Sequence, residues 1–204
     1  MAISAKNTMC YKAFQSSAIL FALSILFAWC IFLGNGSIVE AESPLPNEYL
    51  IKAAFLYNFA KFVDWPHEKF EEPSSPINLY ILGEDPFGLA IDYIVGKTAQ
   101  GRSFLIKRVS RDEDLGKCHI LYISASEEKF LPKILDSLRG SSVLTVGDVG
   151  SFARNGGIIN LIRVQDKIRF EINVDAAHRA GLRISAPLLQ QAKIIRDNGQ
   201  EERH

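Results

Sequence analysis

From Glu48 to Pro66 the chain reads EYLIKAAFLYNFAKFVDWP, and at about 100° per residue its apolar positions fall on two sides of a helix rather than one. Ile51, Phe55, Phe59 and Phe62 form one stripe, and Tyr49, Ala53, Leu56, Ala60 and Val63 form the other. Lys52, Asn58, Lys61 and Asp64 only interrupt them. At about 1.5 Å per residue such a helix is too short, and too charged, to span a bilayer, so both sides are expected to be buried in protein. One side suits the domain's own core and the other a partner or a second copy. Ile51, Phe55, Phe59 and Phe62 are the candidate interface, although the pattern does not say which stripe faces out.

Downstream, short apolar runs alternate with helical patterns. Glu68 to Pro76 reads as a charged, proline-rich loop and Ile77 to Leu82 as a buried strand. Asp85 and Pro86 predict an N-cap and first turn for a helix to about Val95, stopped by Gly96. Ser103 to Val109 and Ile120 to Ser124 read as strands, Ser126 as the cap of a helix from Glu127 to Leu138, and Ser142 to Val146 as a further strand. Ile158 to Val164 and Lys167 to Val174 flank Gln165-Asp166 as a hairpin. A short helix to Ala180 and a final helix from Ala186 to about Ile195, capped by Ser185, precede a polar tail, residues 196–204. The order predicts an α/β domain with a mixed, mostly parallel sheet, helices on both faces and a C-terminal β-hairpin plus helix.

The first 41 residues change the picture of where this domain works. Lys6 and Lys12 precede the apolar run Ala13 to Leu33, and Val39-Glu40-Ala41 offers small residues where a signal peptidase reads. Cleavage after Ala41 and a periplasmic or secreted mature chain, residues 42–204, are expected, with an uncleaved N-terminal membrane anchor as the alternative. Trp29 before Cys30 does not suit a lipobox. The mature chain would carry 21 basic and 22 acidic residues, so nothing in it asks for nucleic acid. Cys10 and Cys30 would leave with the signal, and Cys118 would stand alone as a buried small hydrophobe.

Candidate chemistry is sparse. Gly96-Lys97-Thr98 lacks the upstream glycine of a phosphate-binding loop, because position 91 is Ile. Gly83 to Gly88 lies where open α/β sheets bind ligands but lacks the spaced glycines of a dinucleotide site. Ser126 to Lys129 fits Ser-x-x-Lys without the accompanying motifs. His67, His119, His178 and His204 have no second ligand at metal spacing. Neither a catalytic set nor a cofactor or metal site is expected, which argues against an enzyme. One polar cluster remains: Arg183, two residues before Ser185, places a cation beside free helix N–H groups, where an anion could sit; the plainer reading pairs Arg183 with a surface carboxylate.

The segments YLIKAAFLYNFAKFVDWP, INLYILGEDPFG, GKTAQGR, CHILYIS, VLTVGDVGSFARNGGIINL and KIRFEINVDAAHRAGLRISAPLLQQA, in this order, resemble the successive blocks of the YfiR family and cover almost the whole mature chain. The resemblance implies an exported α/β protein without enzymatic activity. It implies a periplasmic repressor that binds the sensor portion of a membrane-bound diguanylate cyclase, restrains cyclic di-GMP and biofilm formation, and dimerises. Some members carry cysteine pairs; here Cys118 stands at one such position, but Tyr80 aligns with its partner, and Ala153 and Asn160 replace the second pair, which argues against redox control. Other members hold a small ligand near the tryptophan-proline turn and the last helix cap, which points to Trp65, Arg183 and Ser185. A sensor or binding protein for a small molecule, feeding another membrane signalling protein, is therefore the alternative function.

Overall fold

The computed structural model describes residues 46–197 and 201–202; the expected signal segment, its cleavage after Ala41, Cys10 and Cys30 lie outside the described residues. Helix α1, Pro46–Phe62, is the long element of the fold. It runs into β1 (Val63–Asp64), and the chain then builds β2 (Ile77–Leu82), β3 (Thr98–Ala99), β4 (Arg102–Val109) and β5 (Ile120–Ile123). Helix α2 (Leu131–Ser137), β6 (Leu144–Gly147) and the hairpin β7 (Ile159–Val164) and β8 (Lys167–Asn173) follow. The last elements are α3 (Val174–Arg179), β9 (Arg183–Ile184), α4 (Ala186–Leu189), β10 (Lys193–Ile195) and β11 (Glu201–Glu202).

The main sheet has the order β11-β10-β8-β7-β6-β5-β2-β4-β3, and β1 and β9 make a separate two-stranded sheet. Strands β4, β2, β5, β6 and β7 are parallel, β8 turns back antiparallel to β7, and β10 lies parallel to β8. The fold is thus the mixed, mostly parallel α/β arrangement that the hydrophobic pattern predicts. Continuous apolar runs make the central strands because both faces are covered. On one face Leu79, Ile81, Ile120, Tyr122, Leu144 and Val146 meet Ala53, Leu56, Phe59 and Ala60 of α1. On the other, Tyr80, Leu82, Leu121 and Ile123 meet Leu131, Ile134 and Leu138 of α2 and its flank.

Both stripes of α1 enter the domain's own core for most of their length. Ala53, Leu56, Ala60 and Val63 are fully buried, and so is Phe59 of the other stripe. Phe55 and Phe59 both set edges or faces against Phe170 of β8, with ring centroids 5.3 Å apart in each case. The first stripe keeps partial exposure: Ile51 is 40% exposed, beside Leu50 at 42%, and Phe55 and Phe62 are half-buried. Phe59 therefore works from inside the chain, whereas Ile51 is available to another molecule.

Three local expectations are corrected. The segment after Asp85 is 3-10 helix over Gly88–Tyr93, not an α-helix, because Asp85 Oδ1 accepts from Phe87 N only two residues on and Gly88 then takes a φ of +49°. Ser124, not Ser126, caps the turn that leads to α2. Ser126 Oγ instead accepts from Glu84 N at 3.0 Å and ties the loop after β2 to the loop after β5. The final helix stops at Leu189, and Ile194 and Ile195 join the sheet as β10, where both are buried. A β-branched pair beside β8 gains more by burial in the sheet than by continuing a surface helix.

Candidate functional site

The pairing of β1 with β9 brings the sequence candidates together across 119 residues of chain: Val63 sits opposite Ile184 and Asp64 opposite Arg183. Ser185 N donates to Phe62 O at 2.9 Å, which locks the last turn of α1 to the strand carrying Arg183. Trp65 leaves this small sheet and turns inward, 7% exposed, with Nε1 donating to His119 O at 3.1 Å. Trp65, Arg183 and Ser185 therefore share one end of the molecule, at the amino ends of the parallel strands.

Their individual situations differ. The Arg183 guanidinium reaches Asp64 Oδ2 at 3.4 Å, with the two side chains 86% and 60% exposed, so the pair contributes at most about 1 kcal/mol. This is the surface carboxylate partner that the plainer sequence reading supplies. Ser185 precedes a helix of only four residues and does not cap it with its side chain. Its Oγ is buried and makes no hydrogen bond within the chain.

Around Trp65 the structure adds residues that sequence spacing could not connect. His119, just before β5, presents its ring edge to Trp65 and is stacked by Phe70, with centroids 4.4 Å apart at 23°. The Arg102 guanidinium carbon lies 3.7 Å over the opposite ring, Phe70. His119 Nδ1 accepts from Asn78 N at 3.0 Å, which places the proton on Nε2; that atom is buried without a partner. Burial first, and then the nearby Lys69 and Arg102 cations, lower the His119 pKa to about 4, so the ring is neutral at physiological pH. Lys69 Nζ donates to Gly116 O and Ser141 O, both at 2.6 Å, and burial lowers its pKa. The only local signal for this cluster was the aromatic and basic content of residues 65–70, which has no period.

The cluster brings no nucleophile and base together. Cys118, next to His119, is a free and buried thiol whose Sγ donates to Leu115 O, and burial pushes its pKa up to about 12. A thiol so disfavoured as thiolate is a poor nucleophile. Among the described residues, no three His, Cys, Asp or Glu side chains gather closely enough to hold a metal ion. Likewise, no helix among the described residues is long and apolar enough to cross a membrane.

Comparison with known proteins places these features in a family. The chain is similar to the solved structure of a conserved domain protein from Vibrio cholerae O1 biovar El Tor, at 10% identity and a TM-score of 0.49, over 72% of this chain and 59% of that one. It spans less than two thirds of that protein's length. A family model described as YfiR/HmsC-like matches residues 49–193, from the first turn of α1 to the start of β10. The chain therefore belongs to the YfiR/HmsC-like family.

Proposed function

We propose that this protein restrains a membrane-bound diguanylate cyclase by binding its periplasmic portion, and so limits cyclic di-GMP and biofilm formation. The observation that carries the reading is the family match over residues 49–193. The exposed start of α1 supports it: Leu50 and Ile51 present apolar surface beside the partly buried Phe55, on a helix whose remaining apolar positions are spent on the core. The working form in this reading is exported, cleaved after Ala41 or held by an uncleaved anchor, and a homodimer.

Ile51→Asp tests the interface, because the side chain is exposed and the domain should fold as before. Expected is an unchanged melting curve with loss of repression in cells that carry the cognate cyclase, and loss of co-purification with that cyclase from membranes. A folded Ile51→Asp protein that still represses removes the interface. Failure of the wild-type chain to change cyclic di-GMP or to retain any membrane cyclase removes the function. Phe59→Asp does not discriminate, since Phe59 is a core residue.

A second reading, a small-molecule sensor, is favoured by the unpartnered buried Ser185 Oγ next to Arg183 and Trp65. Calorimetry with nucleotides and aromatic amino acids should then show heat that is lost in Arg183→Ala; a flat titration across the panel rejects it.

A further inference from the structure

On one side the main sheet ends at β4, with only the short β3 beyond it. β3 covers β4 where Thr98 lies opposite Ser103 and Ala99 opposite Arg102, whereas β2 runs along the inner side of β4 from Phe104 to Val109. Among the described residues, the outer backbone of residues 104–109 therefore has no strand beside it. A bare edge of this kind offers N–H and C=O groups to another strand, and proteins guard it with charge, bulges or cover. Here the charge is spent within the chain: Lys107 is bonded to Glu113, and Arg108 reaches Asp85 Oδ2 at 2.6 Å.

Exposed apolar surface gathers at the same border. Leu105 of β4 is 49% exposed, and Leu89, Tyr93 and Val95, in the crossover from β2 to β3, are 87%, 40% and 63% exposed. The other large exposed hydrophobic residues among the described ones are scattered over the start of α1, Phe130 and Val164. Tyr93 belongs to the border in space as well as in sequence, because its ring meets Tyr57 of α1 and Tyr57 meets Phe104, with centroids 6.5 and 6.0 Å apart. Apolar residues concentrated beside unpaired backbone mark a contact surface.

We propose that β4 pairs antiparallel with β4 of a second copy of this chain, about a two-fold axis through Ile106, so that two main sheets join into one. The inference deepens the homodimer of the proposed function and rests on that part of the reading alone. A second copy is the occupant because the strand is complementary to itself in one register. A two-fold axis between antiparallel strands keeps like faces together, so it passes through a residue rather than between two. Through Lys107 or Arg108 it would set a cation directly against its own image, which antiparallel pairs disfavour. Through Leu105 it would bring Lys107 of one copy opposite Ser103 of the other, where β3 already lies. Through Ile106 it pairs all of residues 104–108 with no like charges opposed. Leu105 then faces Lys107, whose methylene stem covers it, and Phe104 faces the Arg108 guanidinium.

The test is cross-linking of the full chain in intact cells with a copper–phenanthroline oxidant, read on a non-reducing gel against the wild-type background of Cys10, Cys30 and Cys118. Opposed residues of an antiparallel pair stand about 4.5–5.5 Å apart at Cα, within disulfide reach, so Ile106→Cys should link to its own image. Adding Leu105→Lys sets like charges opposite each other on both sides of the axis and should cut the yield about threefold to tenfold, whereas Leu105→Glu should keep it. No Ile106→Cys dimer above the background, or an undiminished yield with Leu105→Lys, overturns the proposal. Ile51→Asp, which ends cyclase binding in the proposed function, should leave the cross-link unchanged, so either reading can fail without the other; loss of the cross-link there moves the dimer contact to α1 and overturns the proposal. If Ile106→Cys proves unfolded, Leu105→Cys and Lys107→Cys, both at exposed positions, replace it. Co-expressed, these two chains should link to each other in preference to themselves, and equal linking in every combination, or none, overturns the proposal.

Discussion

His119 shows how much a single side chain can carry when its partners are fixed by the fold. Its Nδ1 accepts from a backbone N–H, its ring is stacked by Phe70 and met edgewise by Trp65, and burial together with the nearby Lys69 and Arg102 cations outweighs the backbone hydrogen bond at Lys69 and favours the neutral ring. Its folded pKa, about 4, lies below the ordinary value of 6.5, so between these values the unfolded chain takes up the proton first. Its contribution to stability is complete above pH 6.5 and is lost as pH falls toward 4. Urea midpoints across that window should fall by an amount equivalent to about 2 kcal/mol, allowing for partial screening. His119→Asn should flatten this part of the profile while lowering stability at neutral pH. Cys118 makes a second residue-scale prediction: with its thiol buried and its pKa pushed up to about 12, an aromatic disulfide reagent should label it only as fast as the domain opens. Labelling of the folded protein at the rate of a free thiol contradicts this.

At the scale of elements, α1 is the part whose two apolar stripes raised the functional question, and packing divides them largely by side: Ala53, Leu56, Ala60 and Val63 are buried, whereas Ile51, Phe55 and Phe62 keep some exposure and Phe59 alone of their stripe is fully buried. Phe59→Ala should cost about 3–5 kcal/mol, the range for removing a buried aromatic, whereas Ile51→Ala should change stability by less than about 0.5 kcal/mol. Chemical denaturation of the two variants reads both numbers. The end of the helix depends on a residue far along the chain: Gln100 Nε2 donates to Ala60 O at 2.9 Å and to Val63 O at 2.8 Å, satisfying carbonyls that the helix itself leaves open. Gln100→Ala should destabilise the domain by about 1 kcal/mol and speed hydrogen exchange first at the C-terminal turn of α1, where Ser185 N also binds Phe62 O. Central strands were legible in the chain because Ile77–Leu82, broken only by Asn78, and Ile120–Ile123 are apolar runs, and the hairpin because Gln165 and Asp166 accept φ of +47° and +58°. Strands β1 and β9 were not, because two residues carry no period.

For the whole molecule, a mostly parallel sheet has its carboxyl and amino ends differently furnished. The amino end carries Trp65, His119, Arg183 and Ser185, and the carboxyl end carries Glu84, Asp85, Tyr122 and Asp148, with α1 reaching from one to the other through Tyr49, Lys52, Phe62 and Val63. Of the first site, the pattern alone offered Arg183 and Ser185 as a cation near a helix start, and resemblance added Trp65. The structure supplied the Phe70 and His119 stack and showed that the short α4 gives no side-chain cap. The acidic group at the carboxyl end was legible only as a glycine turn after a strand, since Asp85 and Asp148 come from segments more than 60 residues apart. Local sequence determined the class of fold, the strand positions and the surplus of apolar surface on the first helix, because these follow from the spacing of side chains along one segment. Which part of that helix remains exposed, which serine caps which turn, whether the last segment is helix or strand, and which charges meet at each end of the sheet were decided by tertiary structure. Each of those depends on burial and hydrogen bonds between segments distant in the chain, and no local period encodes them.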